Sequence, residues 1–130
     1  MDRLFLDANV LFSAAYSLQT NLLKLWERPR VVLCSSRYAL EEARINLSTE
    51  SPRERLTGLS STLEIFDSAG LTVPEAAKLP EKDVPILLGA LAASATHLST
   101  GDFRHFGPYF GKRLAGLLVL TPGEYLRSQR

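Results

Sequence analysis

The sequence predicts a doubly wound α/β fold, a three-layer sandwich built on a five-stranded parallel sheet. Three observations lead there. Short apolar runs alternate along the chain with segments of helical spacing, the order that builds parallel strands joined by crossover helices. The run Val31-Val32-Leu33-Cys34 is continuously apolar, as suits a strand covered on both faces. Acidic residues stand at the end of the first expected strand, Asp7, and just past the fourth, Asp102. The 130 residues fit one domain, 1–130, of a size that buries a sizeable core, and no repeat, low-complexity tract or linker divides them.

The elements follow in order. Leu4-Phe5-Leu6 ends at Asp7-Ala8-Asn9, a strand followed by turn chemistry. Thr20 or Asn21 can cap a short helix with Leu22, Leu25 and Trp26 on one face. Val31–Cys34 is the second strand, and Ser35 or Ser36 starts a helix reaching about Leu47. Ser51, Pro52 and Glu54 read as a capping box with proline at the first helical position. Leu56, Leu59, Leu63 and Phe66 continue that helix at helical spacing to a stop at Gly70. Leu71-Thr72-Val73 is a short third strand. Val84 to about Ala95 is apolar on most faces, a helix buried against the sheet, in which Gly89 permits close backbone approach. His97–Thr100 forms the fourth strand and leads into Gly101-Asp102, Leu117–Leu120 forms the fifth, and Pro122-Gly123-Glu124 opens a last short helix.

Composition narrows the function classes. Apolar residues make up 45% and charged residues 22%, which is globular rather than disordered. A net charge of +1 lacks the basic excess of a simple electrostatic nucleic-acid clamp. Cys34 is the single cysteine, so an intrachain disulfide is excluded and a reducing compartment is the simpler expectation. Following three apolar residues, it reads as a buried core thiol. The apolar run before Asp7 is too short for a signal peptide, and no run approaches the ~20 apolar residues of a membrane span. A cytoplasmic protein with no membrane partner is expected.

In doubly wound sheets, ligands bind outside the carboxyl ends of the strands, where strand order reverses. Asp7 ends the first strand, Asp102 follows the fourth, and Asp83 begins the buried helix. Each has an ordinary structural reading. Asp7 can cap a helix or close a turn, Asp83 can be an N-cap with Pro85 in the first turn, and Asp102 can be a Gly-Asp turn residue. Glu42 differs, because it shares a helix face with Ala39, Ala43 and Asn46. Small apolar neighbours imply an inward face, and a carboxylate there needs a partner. Glu41 is expected to face solvent, with the helix register deciding between the two. Four carboxylates converging at one sheet edge would repel one another until divalent cations relieved the charge. An oxygen-only set suits Mg²⁺ or Mn²⁺, and no His–Cys cluster competes for zinc. Two such ions about 4 Å apart can activate a water and stabilise the leaving oxygen of a phosphodiester.

The order of these residues resembles the PIN-domain family. Leu4-Phe5-Leu6-Asp7-Ala8-Asn9-Val10-Leu11 resembles its opening motif, and Ser36 through Leu47 its second, with Glu42 at the acidic position. Lys82-Asp83-Val84-Pro85-Ile86-Leu87 and Leu98-Ser99-Thr100-Gly101-Asp102-Phe103 resemble the third and fourth. The closing Leu120-Thr121-Pro122-Gly123-Glu124-Tyr125-Leu126 is similar to PIN-family toxins of bacterial toxin–antitoxin pairs. The resemblance implies a five-stranded parallel sheet, a Mg²⁺- or Mn²⁺-dependent endoribonuclease acting on RNA, a homodimer and a cognate antitoxin. It places Asp7, Glu42, Asp83 and Asp102 at the metal, with Asp7 and Asp102 as principal ligands. Asn9, Ser13 and Thr100 match nearby polar positions that hold water or phosphate.

Where many relatives carry a further acidic residue, this chain has Phe103-Arg104-His105-Phe106. Arg104 or His105 becomes a candidate phosphate contact, against the plainer reading of a solvated loop charge. His97 reads as a core or sheet-face residue. A phosphoacceptor receiver domain would need an aspartate after the third strand and a lysine ending the fifth; the chain has Val73-Pro74 and Leu120-Thr121-Pro122. A haloacid dehalogenase-type phosphatase would need aspartate where Asn9 stands. A non-catalytic PIN-like module binding RNA or protein is the remaining alternative.

Overall fold

The computed structural model describes residues 1–17, 19–67 and 79–129. Its sheet is organised around β1 (Asp2–Leu6), whose Leu4, Phe5 and Leu6 are completely buried. Each such side chain contributes roughly 1.5–3 kcal/mol through burial. β1 pairs in parallel with β2 (Val31–Ser36) on one side and with β4 (His97–Ser99) on the other. β3 (Glu64–Phe66) extends the sheet beyond β2, and β6 (Leu117–Leu120) extends it beyond β4. The order is β3-β2-β1-β4-β6-β5, so the winding reverses between β1 and β4.

The expectation of five parallel strands is met, and one short antiparallel strand is added. β5 (Arg113–Leu114) folds back on β6 at the sheet edge. Ala115 at φ 52° and Gly116 at φ 89° make this turn, consecutive left-handed residues of the kind that join tight hairpins.

Helix α1 (Ala8–Tyr16) packs against α2 (Arg37–Asn46) and α3 (Glu50–Ser60), while α4 (Val84–Ala92) packs against β2 and α2. Ser36 caps α2 by accepting from Ala39 N at 3.1 Å. The segment Asn21–Glu27 is a 3₁₀ helix rather than an α-helix, capped by Thr20 and anchored by buried Leu25. After α4, the short α5 (Phe103–Phe106) and α6 (Pro122–Ser128) complete the order.

Two expectations along α3 are corrected. The capping box at Ser51 does not form. The helix begins at Glu50 with Thr49 in the cap position, and Pro52 falls in the first turn, where its missing N–H costs nothing. Nor does the helix run on through Leu63 and Phe66. The hydroxyls of Ser60, Ser61 and Thr62 bond back to the carbonyls of Thr57, Gly58 and Leu59, competing with continuation of the helix. The chain turns there and pairs as β3, with Cys34 opposite Glu64 and Ser36 opposite Phe66. Among the described residues the third strand is Glu64–Phe66; the strand expected at Leu71–Val73 and the stop at Gly70 lie outside the described residues. Helix α4 also ends earlier than expected, at Ala92, and Ser94 reverses the chain at φ 51°.

Gly89 sets how closely α4 can approach the sheet. A Cβ there would lie 3.0 Å from Phe5 Cζ and 3.0 Å from Ser36 Cβ. Alanine would otherwise favour the helix by about 1 kcal/mol. Against two buried neighbours, Gly89→Ala is expected to lower stability by about 1–3 kcal/mol in urea unfolding. An unchanged or raised midpoint would mean that α4 can withdraw without loss.

Candidate metal centre

At the reversal between β1 and β4, a cleft of about 410 Å³ opens beyond the carboxyl ends of the strands. Its lining includes Asp7 and Asn9 at the start of α1, Glu42 and Asn46 on α2, Asp83 in the 3₁₀ turn before α4, and Asp102 after β4. Four chain segments thus bring their carboxylates to one cleft. Glu41 is exposed and forks onto Arg44 at 2.6 and 3.0 Å, which leaves Glu42 as the inward residue of the pair.

Asp7 is the most tightly held of the four. Its Oδ1 accepts from Ala8 N at 2.6 Å, and its Oδ2 accepts from Thr100 Oγ1 at 2.8 Å and Asn9 Nδ2 at 3.2 Å. The Thr100 hydroxyl also accepts from Asp102 N at 3.1 Å, and Asn9 Oδ1 accepts from Gly101 N at 2.9 Å. These bonds tie the end of β1 to the loop after β4. Burial pushes the Asp7 carboxyl up to about 6. The bonds from Thr100 and Ala8 oppose that rise, and the charges of Asp83 and Asp102 add to it. Asp83 is also raised, first by burial and then by Asp102 and Glu42, with His105 and Lys82 acting against the shift.

Tyr38 lies one turn before Glu42 on α2. Its hydroxyl stands 3.0 Å from the Lys82 carbonyl and beside the Glu42 carboxylate. A single proton serves one acceptor at a time. Glu42 is the main cause of the phenol being pushed up to about 12.

His105, expected either at an RNA phosphate or in a solvated loop, stands against the acids instead. Asp102 caps α5 by accepting from His105 N at 3.1 Å, which folds the imidazole back over the cap. Nδ1 then lies 2.7 Å from Asp83 Oδ2 and 2.9 Å from Asp102 Oδ2. Both are close ion-pair contacts, yet among the described residues neither Nδ1 nor Asp83 Oδ2, both buried, has a hydrogen-bond partner. Such atoms are rare and call for a physical reason. The ligand atoms of Asp83, Asp102 and His105 lie within 4.8 Å of one another, and this donor set fits a divalent cation. The signal in the sequence was the spacing Asp-x-x-His after a strand, an N-cap followed at its third helical position by a ring that reaches back.

Of the other candidates, Asn9 lines the cleft. Thr100 is fully buried and engaged with Asp7 and Asp102 rather than presented to the cleft. Ser13 on α1 and Arg104 on α5 are exposed and do not line it. Lys82 and Asn46 do, Asn46 from the helix face that it shares with Glu42.

These shifts set a pH dependence. A carboxyl raised in the folded state favours folding fully below its ordinary value of 3.8, and that contribution is lost as pH rises through about 6. For Asp7 this amounts to about 3 kcal/mol at most. With chelator present, the melting temperature is expected to fall between pH 5 and 7.5, and Asp7→Asn should flatten the fall. Equal slopes for the two proteins would show that the Asp7 charge is no burden to the fold.

No protein-family model matches the chain, and no curated protein does. Among solved structures, it is similar to a chain in the crystal structure of VapBC2 from Rickettsia felis bound to a DNA fragment from their promoter. The TM-score is 0.64 at 18% identity, over 92% of this chain and 98% of that one. At that identity the likeness is one of fold: the chain has a PIN-like α/β fold with a mainly parallel, six-stranded sheet.

Proposed function

We propose that this chain is a Mg²⁺- or Mn²⁺-dependent endoribonuclease that hydrolyses RNA phosphodiester bonds, and the toxin of a toxin–antitoxin pair. The observation that carries the reading is the meeting of Asp7, Glu42, Asp83 and Asp102 in one cleft, with a buried Asp83 oxygen that no hydrogen bond among the described residues satisfies. The likeness in fold to a VapBC2 chain supports the pairing with a cognate antitoxin. The homodimer rests on the sequence resemblance. A cytoplasmic location agrees with the lack, among the described residues, of any helix long and apolar enough to cross a membrane.

Asp7, Glu42, Asp83 and Asp102 would hold the cation. When bound, it would supply Lewis-acid chemistry, making a water more acidic and offsetting charge on the phosphodiester oxygens. The chain's own groups set the stage for this. Thr100 and the Ala8 amide fix both oxygens of Asp7, so that its carboxylate does not swing when substrate arrives. Asn9, held by Gly101 N, keeps the loop after β4 in register with Asp7. Lys82 places a positive charge in the lining, where an RNA phosphate would meet it. With a net charge of only +1, such local groups matter more than any long-range steering.

Cleavage of single-stranded and structured RNA by purified protein, with Mn²⁺, Mg²⁺ or chelator, tests the reading. Activity is expected with either metal and none with chelator. Asp7→Asn or Asp102→Asn should lower the rate by about a hundredfold or more, as for loss of a preorganised charged group. A folded protein that neither binds Mn²⁺ nor cuts RNA would replace this reading with a non-catalytic module binding RNA or protein.

A further inference from the structure

We propose that His105 is a nitrogen ligand of the cation, making a mixed nitrogen–oxygen centre that prefers Mn²⁺ to Mg²⁺. The proposal rests on the metal-dependent reading above and adds a ligand outside its four carboxylates. Three features of His105 carry it.

The first is spacing. Donors on adjacent corners of an octahedron around an ion at about 2.1 Å lie about 3 Å apart. His105 Nδ1 stands 2.7 Å from Asp83 Oδ2 and 2.9 Å from Asp102 Oδ2, close to that edge on both sides.

The second is alignment. A histidine that only braced a carboxylate would aim its N–H along one lone pair. Here the ring nitrogen sits between two carboxylates, and among the described residues neither it nor Asp83 Oδ2, in a residue only 7% exposed, has a hydrogen-bond partner. A shared cation would satisfy both atoms with the side chains where they stand.

The third is approach. His105 comes from α5 and is absent from the cleft lining, whereas Asp83 and Asp102 reach the cleft itself. Nitrogen on the inner side leaves the cleft side open to water and phosphate. The only other histidine, His97, lies in β4 with its Nδ1 2.7 Å from Thr96 Oγ1 and its ring edge-on to Tyr125. It sits at the start of that strand, away from the carboxyl ends where the cleft opens.

Ligand type then sets the preference. Mg²⁺ selects oxygen donors and keeps its waters, while imidazole nitrogen is better suited to transition-metal ions.

Pulsed electron paramagnetic resonance of the full chain, loaded with one equivalent of Mn²⁺, reads the ligand directly. A ¹⁴N coupling is expected, replaced by a ¹⁵N coupling in protein labelled at histidine. The coupling should persist in His97→Gln and vanish in His105→Ala and His105→Gln, with circular dichroism reporting their folding. Titration should show Mn²⁺ affinity falling roughly tenfold or more in either His105 variant, with a smaller change for Mg²⁺. Because the labelled wild-type spectrum decides the matter, the test stands even if a variant fails to fold. Mn²⁺ bound without nitrogen coupling would overturn the role of His105 and leave the carboxylate centre intact. No Mn²⁺ binding by the folded protein would overturn both.

Discussion

Crowding of negative charge at the carboxyl ends of β1 and β4 is the constraint on which the rest of this structure depends. Asp7 is buried at the end of the central strand, and burial of a carboxylate disfavours its charged form. The fold answers with neutral donors. Thr100, Asn9 and the Ala8 amide surround Asp7, and Thr100 and Asn9 also hold the backbone of Asp102 and Gly101. One polar network therefore solves two problems, satisfying a buried acid and locking the loop that carries a second one. The apolar residues beneath it, Leu4 to Leu6 in β1 and Leu98 in β4, are wholly buried and give that network a rigid floor.

The parts of the fold legible in the sequence were those set by local chemistry. Continuous apolar runs marked β1, β2 and β6, because strands covered on both faces have no polar side to show. Asp7 and Asp102 were legible as site candidates because the strand ends themselves were. Glu42 was legible by its face, since only one helix register sets it beside Ala39 and Ala43 and leaves Glu41 free to pair with Arg44.

The failures share a cause, a local signal overridden by side-chain bonding or by pairing partners distant in sequence. Leu63 and Phe66 hold helical spacing with Leu56 and Leu59, yet three hydroxyl residues between them redirect the backbone, and β2 offers Glu64–Phe66 a place in the sheet. β5 is two residues long and owes its pairing to a left-handed turn at Ala115, a residue that advertises no such turn. His105 was hidden by the same kind of distance. Its part in the site depends on where Asp83 stands, 22 positions earlier in the chain, and no spacing rule along one segment brings the two together.

The electrostatics of the cleft also explain why its members cannot be judged singly. Each of Asp7, Asp83 and Asp102 has a sound structural role as a cap or turn residue, and the structure shows two of them in it: Asp7 caps α1 and Asp102 caps α5. Capping uses only part of a carboxylate. Asp102 Oδ1 accepts from His105 N while its Oδ2 turns toward the His105 ring, and Asp83, which makes no side-chain cap bond, has its Oδ2 buried against the same ring. A residue serving its helix alone has no need of a second carboxylate at its free oxygen, and the repulsion between them raises the cost of keeping both. That close placing of two carboxylates is what separates a site from a set of caps, and a cation held between them would be the physical term that makes it tenable.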